Sequence, residues 1–468
     1  MTAWGHMFSE LSGTDDRSTI DDELIPMASA QEHLWAFIRA LNPAEPGATF
    51  MTVPIAVRIR DSLSIDGIRG ALRSVFDRHE ILRATMTDLG PTPRLRISPE
   101  STPIVDIVDL SDNPPNEARR LAGDLAARED DRAFDLVNGP LVRIQLLRLG
   151  ATDHALLVTA HHLVMDAASI DIFLRDLWSF YDASMGCTTA ELASLRERYR
   201  DFAVRGRSSD PGRSAYWRSV LSSDRMPALF PSDRPRAELD RSVYEIHQFE
   251  IPVATARAVK VYAEQHDATP FIVCLAAFTR FVCRKTGVTE LVIGSAVSNR
   301  MGIGLRDVVG QFPELMIAAT AVNLGETFEE STYKTRANIL AAYSHAVSYH
   351  ELVAQVSDLP WGDFGPPNQL FQAWFQFTGK VQFPGSAHLQ VEPFAGQRGT
   401  AIPTRSYSLG ASNPYSQAWQ SENPTFELDD DCRGGVVQYN SSLFDESSVL
   451  NLAAEFIDCL AICIAADS

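Results

Sequence analysis

Apolar positions recur with a period near two in some stretches and near 3.6 in others, and each switch marks a new element. Residues 1–21 carry no sustained pattern and read as a flexible lead. From Pro26, "PMASAQEHLWAFIRAL" spaces Leu34, Phe37, Ile38 and Leu41 on one face and predicts a helix. "MTVPIAVRIR" (51–60) predicts a strand, and "IDGIRGALRSVFDRHEIL" (65–82) an amphipathic helix. The apolar runs "LVRIQLLRL" (141–149) and "HALLVTAHH" (154–162) predict two more strands. "SIDIFLRDLWSFY" then puts Ile170, Phe173, Leu174, Leu177 and Phe180 on one helical stripe.

The theme returns beyond the loop "MGCTTAEL" and the Arg/Pro-rich stretch ending in "PSDRPRAE". "YEIHQFEIP" and "TELVIGSAV" predict strands, while "PFIVCLAAFTRFVCRKTG" and "SSVLNLAAEFIDCLAICIA" predict helices. The pattern is that of a mixed α/β (α+β) fold in two parts, 22–186 and 187–468, behind the lead. No short-period repeat appears, which excludes a solenoid. Two mixed halves of similar size leave a cleft between them, and ligands favour such clefts.

Composition narrows the function. The chain has 468 residues and a formal charge of −19, which argues against nucleic acid as the main partner. Its cations are nearly all arginine; the lysines are Lys260, Lys285, Lys334 and Lys380. Arg196, Arg198, Arg200, Arg205, Arg207 and Arg213 crowd one segment, which reads as a solvated linker helix or as a steering patch for an anionic partner. No signal peptide and no run of about 18 apolar residues is evident, so no membrane span is expected. Six scattered cysteines without a C-x-x-C pair suit reduced thiols and a cytoplasmic site.

The candidate chemistry lies in "TAHHLVMDAASIDIFLRDL" (159–177). If His161 and His162 end a strand, their side chains point to opposite faces, so one faces the cleft and the other packs behind it. Asp166 stands where a carboxylate caps a helix or accepts a fixed salt bridge. A neutral imidazole suits removal of a proton from an attacking amine, hydroxyl or thiol near pH 7. Adjacent histidines without H-E-x-x-H spacing fit a metal poorly, so no metal is expected. The stretch alone leaves two readings open: two packing and capping histidines, or one base in a cleft.

"HHLVMDA" resembles H-H-x-x-x-D-G, the core motif of the condensation domains of nonribosomal peptide synthetases, with Ala167 in place of glycine. Other blocks resemble that family in the same order. "SAQEHLW" is similar to the first motif, with Ala28 and His33 substituted, and "RHEILRATM" to the second. "YRDFAVRG" resembles the fourth, with Arg205 for tryptophan. "GSAVSNR" with "VVGQFPELMIAAT" resembles the fifth, with Pro313 and Glu314 for Val-Asn. "PPNQLFQAWFQF" resembles the last, and "VVQYNSSLFDESSV" the end of the domain. The resemblance runs from about Pro26 to about Ile464.

It implies two chloramphenicol-acetyltransferase-like lobes in a V-shaped pseudo-dimer around a central tunnel. His162 would be the catalytic base or orienting group for attack on a thioester carbonyl. His161 and Asp166 would hold its loop, Asp166 paired to Arg300, with the amides opening the next helix as oxyanion donors. Ala167 would add a methyl beside the site, and Ser169, Gln311, Pro313, Glu314 and Gln372 would line the tunnel. No bound cofactor is implied; the acyl group arrives on the phosphopantetheine of an acyl or peptidyl carrier protein, or on coenzyme A, and leaves on a small-molecule amine or alcohol. The chain ends where a condensation domain should, so a free-standing, monomeric enzyme acting in trans is expected. The remaining alternative is a non-catalytic, condensation-like recruiting module, which the changes at 167, 313 and 314 keep open.

Overall fold

The computed structural model describes residues 24–41, 51–90, 93–100, 102–130, 132–187, 192–205, 211–221, 228–235, 241–300, 302–347, 371, 373–379, 381–394, 407–410 and 423–467. Its first half runs β1 (Leu24–Pro26), α1 (Ser29–Leu41), β2 (Thr52–Ile59), α2 (Ile65–Arg78), β3 (Ala84–Met86) and β4 (Arg94–Ile97). It continues with β5 (Val105–Asp109), α3 (Pro115–Asp130), β6 (Val142–Gly150), β7 (Asp153–His161) and α4 (Ala167–Ser184). Two short helices, α5 (Tyr199–Arg205) and α6 (Pro211–Val220), lead into the second half. That half holds β8 (Arg241–Glu250), α7 (Val253–Gln265), α8 (Pro270–Thr286), β9 (Glu290–Val297), β10 (Glu314–Ala321) and α9 (Phe328–Ser344). β11 (Ala373–Thr378), β12 (Val391–Pro393), β13 (Tyr407–Gly410), β14 (Thr425–Asp429), β15 (Gly434–Asn440) and α10 (Glu446–Ala465) complete it.

β7 carries the site. It lies in a five-stranded sheet of order β12-β2-β7-β6-β5, antiparallel to both neighbours, with His161 opposite Thr52 of β2. Helices cover both faces of this sheet. Ile55, Val57, Ile144, Leu156 and Val158 join the core shared with α2 and α4, while Ala56, Leu147, Ala155 and Leu157 pack with Ala118 and Ala122 of α3. Burial on both faces explains why β7 reads as a continuous apolar run. α2 packs closely on α4: a Cβ at Gly67 would meet the Tyr181 ring at 2.9 Å.

Two boundaries differ from the sequence expectation. The first helix begins at Ser29, because Leu24–Pro26 is taken into a strand against Arg94–Arg96 of β4. The helix predicted over 65–82 ends at Arg78, since His79 leaves helical geometry (φ −112°, ψ 86°) and Glu80–Arg83 forms a 3₁₀ turn. His79 leaves the helix where its ring is held by the distant partners Asp176 and Val309.

The second core surrounds Phe278, Phe281, Phe375, Phe426 and Phe456 behind a seven-stranded sheet of order β10-β9-β11-β14-β15-β8-β13. α10 belongs to it. Against the sequence expectation, this 20-residue helix is long and apolar enough to cross a membrane. Its apolar face is explained within the fold, where Val449, Leu452, Phe456, Leu460 and Cys463 are buried.

Two segments of the second half cross over to the first. β12 forms the edge of the five-stranded sheet, pairing antiparallel with β2. Leu305, Val308, Val309 and Phe312, ahead of β10, are buried in the first half's core. The second crossing brings the two halves together at the histidines.

Candidate active site

His161 closes β7, and its N–H donates to Leu141 O at 2.8 Å. Its ring is fully buried, edge-on to Phe134 at 5.5 Å between centroids, and Nδ1 accepts the N–H of Leu163. Burial, then the neighbouring His162 and Arg143, push this imidazole down to about 3. His161 is therefore neutral across the physiological range and acts as a packing residue with one fixed acceptor.

His162 follows on the other side. Its N–H donates to Met51 O at 2.7 Å, and its ring is half-buried. Nδ1 lies 2.9 Å from Oε1 of Gln311, on the crossing segment. Among the described residues, Nε2 has no partner.

Asp166 caps α4. Oδ1 accepts from Ser169 N at 2.8 Å and from Ser169 Oγ at 2.7 Å. The same oxygen accepts Arg300 Nη2 at 2.7 Å, and Oδ2 accepts Phe312 N at 3.3 Å. The residue is 2% exposed and its carboxylate has no hydrogen bond to His162, so its work is structural. Arg300 also reaches Ser169 Oγ at 2.8 Å and the carbonyls of Leu305 and Val308, with its guanidinium 3.9 Å over the Phe312 ring. Ser169, expected to line a tunnel, is instead fully buried in this knot. Its hydroxyl donates to Asp166 and accepts the N–H of Gly310 at 3.0 Å.

The crossing segment is fastened along its length. Asp166 N donates to Gly310 O at 3.0 Å, and the buried Tyr199 hydroxyl donates to Gln311 O at 2.7 Å. Burial, then the field of Asp166, holds that phenol well above its usual range. Position 310 must be glycine here, because a Cβ would meet the Tyr199 ring at 2.2 Å. Val309 N donates to His79 Nδ1 at 3.4 Å, while His79 Nε2 lies 2.9 Å from Asp176. Arg78 and Arg175 also hold Asp176, so "RHEILR" is a buried electrostatic knot that supports the segment.

Other sequence candidates take different places. Ala167 is the first residue of α4 and half-buried; it is absent from the positive-φ residues, so it carries no backbone strain. Of the oxyanion candidates, the Ser169 amide is already committed to Asp166. Pro313 is half-buried, and Glu314 accepts from Asn299 and Ser29, with burial pushing its carboxyl up. Gln372 lies outside the described residues. So does "WGDFGPP", and "MGIGLRD" folds in part as the 3₁₀ turn Ile303–Leu305. In the arginine-rich segment, Arg200 pairs with Glu80 and Arg205 with Glu197, while Arg198 stays exposed.

Sequence reasoning missed Gln31, whose Nε2 donates to Leu163 O at 2.6 Å and ties α1 to the histidine loop. It also missed Tyr199. Both sit in blocks already singled out, "SAQ" and "YRDF", which was the available signal.

Comparison with known proteins places this geometry. A teicoplanin-biosynthesis X-domain matches 97% of this chain and 98% of its own with a TM-score of 0.74 at 21% identity. An X-domain from the same biosynthesis is also solved in complex with OxyB. SgcC5 from Streptomyces globisporus matches 94% of this chain and 98% of its own with a TM-score of 0.72 at 23% identity. The structure is thus a mixed α/β, chloramphenicol-acetyltransferase-like fold. The Condensation domain profile matches residues 22–466, and the chain belongs to the condensation-domain family of nonribosomal peptide synthetases. A linear gramicidin synthase protein of Brevibacillus parabrevis is 27% identical over 93% of this chain, which spans 5% of that protein's length. Condensation domains are acyltransferase-type enzymes within such synthetases.

Proposed function

We propose that this protein is a free-standing condensation enzyme that moves an acyl, aminoacyl or peptidyl group from a carrier-protein phosphopantetheine thioester to an amine or alcohol. The observation that carries the reading is His162: a half-buried imidazole, held at Nδ1 and unpartnered at Nε2 among the described residues. In the proposed reaction the nucleophile attacks the thioester carbonyl while Nε2 takes its proton. The amides of Ala167 and Ala168, at the opening of α4, are the proposed donors to the charge developing on the carbonyl oxygen. The C–S bond then breaks, and the thiolate of the phosphopantetheine arm receives the proton. His161, Asp166, Arg300 and Ser169 position the loop. A cytoplasmic site fits this chemistry, and all six cysteines are free thiols.

A second reading is favoured by the likeness to the X-domain: a module of the same fold that recruits a protein and makes no bond. A trans-acylation assay separates them. Purified protein is offered acyl groups on carrier proteins or on coenzyme A, with pooled amines and alcohols, and products are read by mass spectrometry. A conjugate formed from the carrier-bound donor and not from coenzyme A supports the proposal. A conjugate made equally well from coenzyme A reassigns the donor, and carrier binding without any conjugate favours the recruiting module.

A further inference from the structure

We infer that Gln311 is a positioning residue that sets the tautomer of His162, so that Nε2 is the basic nitrogen. The inference rests on the reading of His162 as the base. A neutral imidazole carries one N–H and one lone pair, and its partners decide which nitrogen carries which. Gln311 presents its carboxamide oxygen to Nδ1 at 2.9 Å, and an oxygen acceptor there holds the proton on Nδ1. The lone pair is then on Nε2, the nitrogen without a partner among the described residues.

Gln311 can dictate this geometry because its own position is fixed. Its carbonyl accepts the Tyr199 hydroxyl at 2.7 Å. Gly310 before it bonds to Asp166 N and Ser169 Oγ, and Phe312 after it donates to Asp166 Oδ2. Asp166 caps the helix that follows His162, so one residue locks both ends of the Gln311–His162 contact. Gln311 as a residue is 6% exposed, leaving its amide little water to turn to. The buried carboxylate of Asp166 is taken up by Ser169, Arg300 and Phe312. A neutral amide therefore holds the ring where a carboxylate would favour the imidazolium. A base so held readily hands its proton on to the departing thiolate.

The test combines a substrate-free readout with a kinetic one. Histidines labelled with ¹⁵N report the tautomer by NMR, the His162 signals being those lost in His162→Ala. Turnover is measured with an aminoacyl-loaded carrier protein as donor and pooled amines as acceptor. Wild type should show the Nδ1–H tautomer. Gln311→Leu should move toward Nε2–H and lower kcat about tenfold with KM little changed, the low end of what ring-orienting partners contribute at histidine metal ligands. Gln311→Glu keeps an acceptor oxygen at the same reach. It should retain the tautomer, while its carboxylate moves the acid limb of the pH–rate profile to higher pH. Should the leucine variant fail to fold, the wild-type tautomer and the glutamate variant still decide. An Nε2–H tautomer in wild type, or a Gln311→Leu protein with unchanged tautomer and rate, overturns the inference and leaves the base reading standing if His162→Ala is inactive. Turnover that survives in His162→Ala overturns both.

Discussion

The two adjacent histidines differ in burial, and that difference separates their roles. His161 has no contact with water, and its folded-state pKa of about 3 lies below the unfolded value near 6.5. His79, also buried, is shifted the same way, first by desolvation. Below about pH 6.5 the unfolded chain binds protons that the folded chain refuses, so stability falls as pH drops from there toward 3. His161 contributes a loss of about 1.4 kcal/mol for every pH unit crossed in that window, and His79 adds to it in the same direction. Urea melts between pH 7 and pH 4 should show this loss, and His161→Gln should flatten it; a variant with the wild-type slope would refute the assignment. Asp166 makes a different prediction. Its side chain and that of Arg300 are 3% and 9% exposed, so Asp166→Ala strands a buried guanidinium. The expected loss is about 3–5 kcal/mol by urea denaturation; a loss under about 1 kcal/mol, the range of exposed pairs, would contradict the buried-pair account.

At the scale of elements, the apolar periods announced β2, β7, α4 and α10, and the spacing H-H-x-x-x-D announced a strand end followed by a cap. Sequence showed less where a residue's conformation depends on distant partners. His79 continues the apolar pattern of α2, yet its ring is held by Asp176, 97 residues away, and the helix stops. Gln311 meets His162 across 149 residues, and no local pattern encodes that contact. Ala167 shows the same limit in reverse. The family motif has glycine there and the resemblance flagged only an added methyl, whereas the position opens a helix that alanine favours. Ala167→Gly should therefore lower stability by no more than the helix-interior penalty of about 1 kcal/mol, read as a lower melting midpoint. A clear rise in the midpoint would mean that the methyl is strained.

At the scale of the whole molecule, the division at 186/187 meets two crossings. The sheet that carries His161 takes its edge strand from Val391–Pro393, and its core takes in Val308, Val309 and Phe312. Both crossing pieces are short, and the three-residue β12 has no periodicity to read. We expect residues 22–186 alone to lack a cooperative thermal transition, measured by circular dichroism; a sharply melting fragment would show that the first lobe needs neither crossing. The crossings also make the site a property of both halves, since one supplies His162 and Asp166 and the other Gln311 and Arg300.

The most direct test of this account is the rate of acyl transfer from a loaded carrier protein, followed by intact-protein mass spectrometry for wild type and His162→Ala at equal folded concentration. The account predicts a fall of roughly 100- to 10,000-fold, the usual contribution of a general base. Transfer at the wild-type rate in the variant would contradict it.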